Sequence, residues 1–176
     1  IFNFFNDSTT SSMSAIISSA SLIKKVYVPK YLFVLSRVMS SFINLMASFT
    51  ALLLVMVATR AELHWTVFLS VIPLAMVVLF SFGVGMFLAA ITVRFRDVIH
   101  LYSVFTTGLL YLTPVIYPMA ALPDVVKTIV MINPLTNYLL MFRDVMFNNT
   151  LPSVFSVLLG IAEAALALAL GLYVFY

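Results

Sequence analysis

Charged residues punctuate this chain, and the uncharged intervals between them are long. Positions 38–59 carry no charge between Arg37 and Arg60, and 65–93 none between His64 and Arg94. Positions 98–117 contain only His100, and 153–176 only Glu163. Roughly 20 apolar helical residues cross a hydrocarbon core of about 30 Å, so these four intervals predict membrane spans. Pro73 predicts a kink in the longest. The opening segment, 1–23, starts on an aromatic run (IFNFF) and turns rich in Ser and Thr, with no charge between Asp7 and Lys24. Ser11, Ser14, Ser18 and Ser21 fall on one helical face, while Ile16, Ile17, Ala20 and Ile23 fill the others. This predicts a fifth span with a hydroxyl stripe, whose ordinary role is bonding to neighbouring helices and whose alternative role is a substrate path.

Between 118 and 150 the pattern changes. Two apolar stretches, 124–132 and 135–147, flank Asn133-Pro134. Each is too short to span, since about 13 helical residues reach only about 20 Å. A single span over 124–142 would bury Asn133, Pro134 and Asn137 near its centre, and Pro134 breaks a helical hydrogen bond there. Such a break is tolerated only against protein or water. The expectation is a re-entrant or interfacial helix pair, with Tyr176 returned to the cytoplasmic side. The expected architecture is all-α, one transmembrane bundle over 1–176. Its spans lie near 1–23, 38–59, 65–93, 98–117 and 153–176, with the helix pair at 118–150.

Composition fits that solvent. The chain is 64% hydrophobic and 9% charged, against about 25% charged in soluble domains. It cannot cover itself in water. A net charge of +3 raises nucleic acid as a partner, but thinly spread basic residues form no phosphate-binding face, which excludes it. They act better as topology signals. Lys24, Lys25, Lys30, Arg37, Arg94 and Arg96 fall on one side of the alternating spans, and Arg60, Lys127 and Arg143 on the other. Positive-inside bias places the first set in the cytoplasm. With no cysteine, disulfides and thiolate metal sites are excluded. The chain opens on Ile1 without a signal-peptide pattern and closes on Tyr176 within an apolar run, so both ends read as cuts through a longer protein.

Candidate chemistry is sparse. His64 and His100 belong to opposite faces, and no HExxH, GxSxG or phosphate-binding loop occurs. Catalysis is not expected, nor a metal or cofactor site. Ser41, Asn44 and Ser48 align below Arg37 on one helical face, either bonding to another helix or wetting a channel. Tyr102, Phe105, Tyr111 and Tyr117 offer sugar-stacking faces or ordinary lipid packing. In the last span, Gly160-xxx-Ala164 and Ala167-xxx-Gly171 permit close helix approach, with Glu163 on part of that surface. The loop SLIKKVYVPKY (21–31) holds Tyr27, Pro29 and Tyr31 beyond what membrane anchoring needs. That content fits a rigid knob able to dock a partner.

The order SLIKKVYVPK (21–30), RFRDV (94–98), TPVIYP (113–118) and NPLTNYLLMFRD (133–144) resembles the permeases of type-2 ABC exporters. It is most similar to the branch exporting O-antigen, teichoic acid and capsular polysaccharide. The resemblance implies a six-span subunit in the cytoplasmic membrane of a bacterium or archaeon. An amphipathic helix and a first span would precede Ile1. It also implies a dimer with a second copy, and a separate ATPase subunit that binds the ATP and Mg, leaving no cofactor in this chain. Lys24, Lys25, Tyr27, Pro29 and Lys30 would form the ATPase-coupling loop, although Val28 stands where relatives often carry Phe. Arg94, Arg96 and Asp97 would form a second cytoplasmic loop. Pro114, Tyr117, Pro118, Asn133, Pro134 and Arg143 would lie at the outer mouth. Read from the residues themselves, Ser41, Asn44, Ser48, Tyr102, Phe105 and Tyr111 are the candidates for lining a channel. The substrate would be a glycan or lipid-linked glycan. The rival readings are a permease for a small hydrophobic compound, an intramembrane glycosyl- or acyltransferase, and a membrane scaffold.

Overall fold

The computed structural model describes residues 1–19, 29–60, 64–115, 117, 119 and 122–175. Lys24, Lys25, Tyr27 and Pro118 lie outside them. Among the described residues every regular element is helical: α1 (Phe2–Ser18), α2 (Tyr31–Ala58), a 3₁₀ segment (Trp65–Ser70) running into α3 (Val71–Arg94), α4 (Val98–Leu112), α5 (Asp124–Ile132), α6 (Pro134–Phe147) and α7 (Val154–Phe175).

Three of these are long and apolar enough to cross a membrane: α2 with 28 residues, the continuous run Trp65–Arg94 with 30, and α7 with 22. The pair α5–α6 is bent by 99°, and counting it as one span would make four. The structure thus shows a multi-pass helical membrane protein, and among the described residues three or four elements, not the five expected, have full spanning length. Of the two shorter ones, α1 has 17 residues. The other, α4, stops at Leu112 after 15 residues, five short of the expected end. Pro114 explains that stop, because its ring drives Thr113 out of helical geometry, to φ −98° and ψ 128°.

Two other boundaries differ for physical reasons. Helix α2 begins at Tyr31 and carries Arg37 inside it; a charge marks where lipid ends, not where a helix must. Pro73 lies near the start of the Trp65–Arg94 run and not at mid-span. The change from 3₁₀ to α geometry falls at Val71, leaving Pro73 in the first turn of α3, where no backbone N–H is needed.

Helix α3 is the hub. Gly83 sits so close to the α7 backbone at Ala167 and Leu168 that a Cβ there would overlap it, and Gly171 faces the Gly83 carbonyl. On α7 only Gly160, Ala164, Ala167 and Gly171 are buried, one strip at helical spacing. Since Gly160 lies against Met76 and Gly171 against Gly83, α3 and α7 run parallel. Helix α1 also runs with α3, with Phe5 stacked on Phe80 at 5.8 Å and Ser12 against Gly85. Helix α2 returns antiparallel, its Val34 also beside Gly85. The core centres on Phe5, Val38, Leu74, Val77 and Tyr138. At the other end of α3, Tyr31, Val34, Met86, Ala89 and Phe175 cluster. The last helix therefore ends beside Tyr31, at the same end of the bundle as Lys30 and Arg94.

Candidate functional site

Two polar constructions stand out. The first is a groove between α1 and α2. Helix α1 is polar on two faces, for different reasons. Ser8, Thr9 and Ser12 are buried, their hydroxyls bonded to carbonyls of their own helix: Ser8 Oγ to Phe5 at 3.1 Å, Thr9 Oγ1 to Phe5 at 2.7 Å and Ser12 Oγ to Ser8 at 2.6 Å. Such back-bonding lets a hydroxyl enter an apolar core. Among the residues of the expected hydroxyl stripe, Ser11 is half-buried and Ser14 and Ser18 are exposed. Ser21 lies outside the described residues. The described part of the stripe thus lies away from the core, and among the described residues its one bond to another helix is Ser18 Oγ accepting from Arg37 Nη2 at 3.4 Å.

Facing it is the α2 stripe at spacings of four, three and four: Arg37, Ser41, Asn44 and Ser48. Ser41 is buried and the others are exposed. An open groove of about 310 Å³ lies between the two helices, shared by the stripes only at Ser11, Arg37, Ser41 and Asn44. Asn6, Asp7, Thr10 and Ser11 line it from α1, and Arg37, Ser40, Ser41 and Asn44 from α2. A smaller chamber of about 130 Å³ continues it past Asn44 to Asn3 and Ser48. Among the described residues, neither the Asp7 carboxylate nor the Asn44 amide has a hydrogen-bond or ion-pair partner.

The second construction joins two motifs far apart in sequence. Helix α4 ends at Leu112, about 22 Å from its start at 1.5 Å per residue. Its last carbonyls and the broken backbone beyond need donors, because irregular backbone at membrane depth is tolerated only when protein or water satisfies it. Thr113 Oγ1 donates to the Leu109 carbonyl at 2.8 Å. Tyr117 Oη donates to the Tyr111 carbonyl at 2.6 Å, and Arg143 Nη2 to the Val115 carbonyl at 3.0 Å. Asn133 Nδ2 donates to Thr113 Oγ1 at 2.9 Å, while its Oδ1 caps α6 by accepting from the Leu135 N–H at 3.1 Å. Pro134 sits at the first position of α6, where a missing N–H costs nothing. Pro114, buried, completes the join.

Helix α6 is tied at both ends. Near its start Asn137 Nδ2 donates to the Ser156 carbonyl at 3.1 Å and Tyr138 Oη to the Gly160 carbonyl at 3.0 Å. Near its finish the Val145 carbonyl and Asn149 Oδ1 lie 3.0 and 3.2 Å from Thr66 Oγ1, at the start of the 3₁₀ segment. So α6 climbs from the level of Gly160 to the end of the bundle where Trp65 lies. Glu163 stands beside Asn137 and Tyr138, half-buried, with Oε2 unpartnered.

The remaining sequence candidates scatter. Tyr102 is buried and donates from its hydroxyl to Thr9 Oγ1 at 2.7 Å, bracing α4 on α1. Phe105 and Tyr111 are exposed on α4, away from the α1–α2 groove. Arg94, Arg96 and Asp97 are exposed at the α3–α4 turn, and Pro29 and Lys30 are exposed before α2. Thr66, Thr9 and Tyr138 were missed in the sequence. Only the Asn-Pro break gave any sign of them, by marking a segment that must be held by its neighbours.

The fold and these joins define a multi-pass helical membrane domain with a broken helix pair tied into one end. Residues 1–147 match the family described as ABC-2 type transporter, and the chain belongs to that family. It is similar to an O-antigen export system permease protein, RfbA, of Klebsiella pneumoniae, 28% identical over 152 residues, covering 85% of this chain and 58% of that protein. It is also similar to the RfbA permease of Myxococcus xanthus, 27% identical over 168 residues, covering 94% and 62%. The chain spans about three fifths of the length of these relatives.

Proposed function

We propose that this chain is the membrane-spanning part of an ATP-driven export permease that moves polysaccharide or lipid-linked glycan outward across the cytoplasmic membrane. The observation that carries the reading is the join of TPVIYP to NPLTNYLLMFRD at the end of α4, in a chain of the ABC-2 family. Both motifs that the family resemblance assigns to an outer mouth meet there through Asn133–Thr113 and Arg143–Val115. In this reading α1 and α4 complete the five spans, and the α5–α6 pair enters the membrane and returns to the outer side. The basic end faces the cytoplasm, where the 24–30 loop and the Arg94–Asp97 turn receive a separate ATPase that binds ATP and Mg. Two copies form the path. The names of the relatives support a glycan as cargo, and the amide- and hydroxyl-lined groove suits it better than a small hydrophobic compound.

The test uses the full-length protein. It should co-purify with an ATPase subunit. Cells depleted of it should lose surface glycan and accumulate lipid-linked glycan inside. Unchanged surface glycan, with new sensitivity to apolar toxic compounds, would transfer the reading to the small-compound alternative.

A further inference from the structure

The last helix carries one acid in its apolar middle. Glu163 lies nine residues after Val154 and twelve before Phe175, so roughly 14 Å or more of helix separates it from either end. We propose that Glu163 works as an uncharged carboxylic acid and is a positioning residue for export, tying α6 to α7 as long as it keeps its proton; the link to export rests on the reading above.

The charge state follows from what surrounds the carboxyl. Its Oε2 is buried and has no hydrogen-bond partner among the described residues. Helix α7 packs chiefly on α3 and α6. From Val71 to Val93 α3 has no ionisable side chain, and the one that α6 brings beside Glu163 is the Tyr138 phenol. Arg143, the cation of α6, is committed to the Val115 carbonyl, and Asp144 next to it accepts from Asn148. A carboxylate here would stand without a counter-charge where solvation is poor. A neutral acid with one unpaired hydroxyl costs far less.

The hydrogen bonds around it agree. Ser156, Gly160 and Glu163 follow one another at spacings of four and three along one face of α7. Helix α6 sets two donors on that face, and both go to backbone: Asn137 Nδ2 to the Ser156 carbonyl and Tyr138 Oη to the Gly160 carbonyl. A carboxylate accepts more strongly than a peptide carbonyl, so an ionised Glu163 would take the Tyr138 hydroxyl beside it. That hydroxyl stays on Gly160, as a neutral acid permits. The Asn137 amide nitrogen has a second hydrogen, which the carbonyl oxygen of the neutral acid next to it can accept. The unpartnered Oε2 is then the oxygen that carries the proton. Loss of that proton to water would draw Tyr138 off Gly160 and loosen α6, the helix whose Asn133 cap and Arg143 serve the end of α4.

The test uses the full-length protein with its ATPase. Infrared spectra at neutral pH should show the carbonyl stretch of a protonated carboxylic acid in the wild type, and that band should be missing from Glu163→Gln. The Gln variant cannot ionise but keeps the shape and a carbonyl acceptor for Asn137, so its melting temperature and export should stay close to wild type. Glu163→Leu keeps the volume and offers Asn137 nothing; it should melt lower and export several-fold less at equal expression. Identical infrared spectra for wild type and Glu163→Gln would mean an ionised Glu163 and overturn the proposal. So would loss of export in the Gln variant, which would make the charge itself necessary, or full export by the Leu variant, which would leave the carboxyl nothing to hold. Should the Leu variant fail to accumulate, the infrared band and the Gln variant still decide. If surface glycan does not depend on the protein at all, the export reading falls, while the infrared band and the order of melting temperatures still report the neutral tie between α6 and α7.

Discussion

Arg143 is a charged residue that the sequence places on the outer side and that the structure commits to one backbone carbonyl. Its guanidinium reaches Val115 across 28 positions of chain, and no other donor to that carbonyl is present among the described residues. Replacing it with Met keeps the aliphatic stem but leaves a carbonyl unpaired in broken backbone, which costs about 1–3 kcal/mol. The purified Arg143→Met protein should therefore melt at a lower temperature in detergent. Export should fall further than the expression level, because the displaced segment is the end of α4. An unshifted melting midpoint would show that water already serves Val115. Tyr138 teaches the complementary lesson: a fully buried aromatic anchors α6 through one hydroxyl, a role the sequence reading did not assign to it.

At the level of elements, the α3–α7 contact is set by residues with almost no side chain. Gly83 meets the α7 backbone directly, whereas Gly108 on α4 has nothing within 4 Å of the position a Cβ would take. The pair makes a controlled prediction. Gly83→Ala must push two helices apart and should destabilise by about 1–3 kcal/mol, the usual cost of overpacking. Gly108→Ala should be neutral or gain up to about 1 kcal/mol from helix propensity. Thermal unfolding of the two variants, followed by loss of the monodisperse peak in size-exclusion chromatography, separates them. Equal behaviour would mean the α3–α7 spacing is looser than described. The small-xxx-small strip on α7 was legible in sequence, but Gly83 as its counterpart was not, because nothing in α3 distinguishes it from Gly85.

Across the whole molecule, the direction of α7 fixes the end of the bundle at which Phe175 lies. Phe175 packs with Tyr31 and Val34, so α7 must end on the side where α2 begins. In the proposed reading, where α4 crosses, a further crossing by α5–α6 would carry these two ends to opposite sides. A reporter joined after Phe175 should be active only when it needs the cytoplasm, as a fluorescent protein does. Alkaline phosphatase at the same point should be inactive. An active phosphatase would overturn both the threading and the orientation.

Sequence alone determined the solvent, the helical class and the helix break at Asn133-Pro134. These follow from local quantities, runs without charge and an Asn-Pro pair; the stop that Pro114 imposes, five residues before the expected end of α4, was not read from them. It also placed Arg37, Ser41, Asn44 and Ser48 on one face, since that needs only 3.6 residues per turn. Only the tertiary structure decided what those faces meet. That the stripe on α2 opposes Asp7 and Thr10, that Thr9 holds Tyr102, and that Asn133 and Arg143 serve the end of α4 depend on which helices pack side by side. Helix pairing in lipid is settled by close backbone approach and satisfied polar groups summed over many residues, and a single chain read in order carries no such sum.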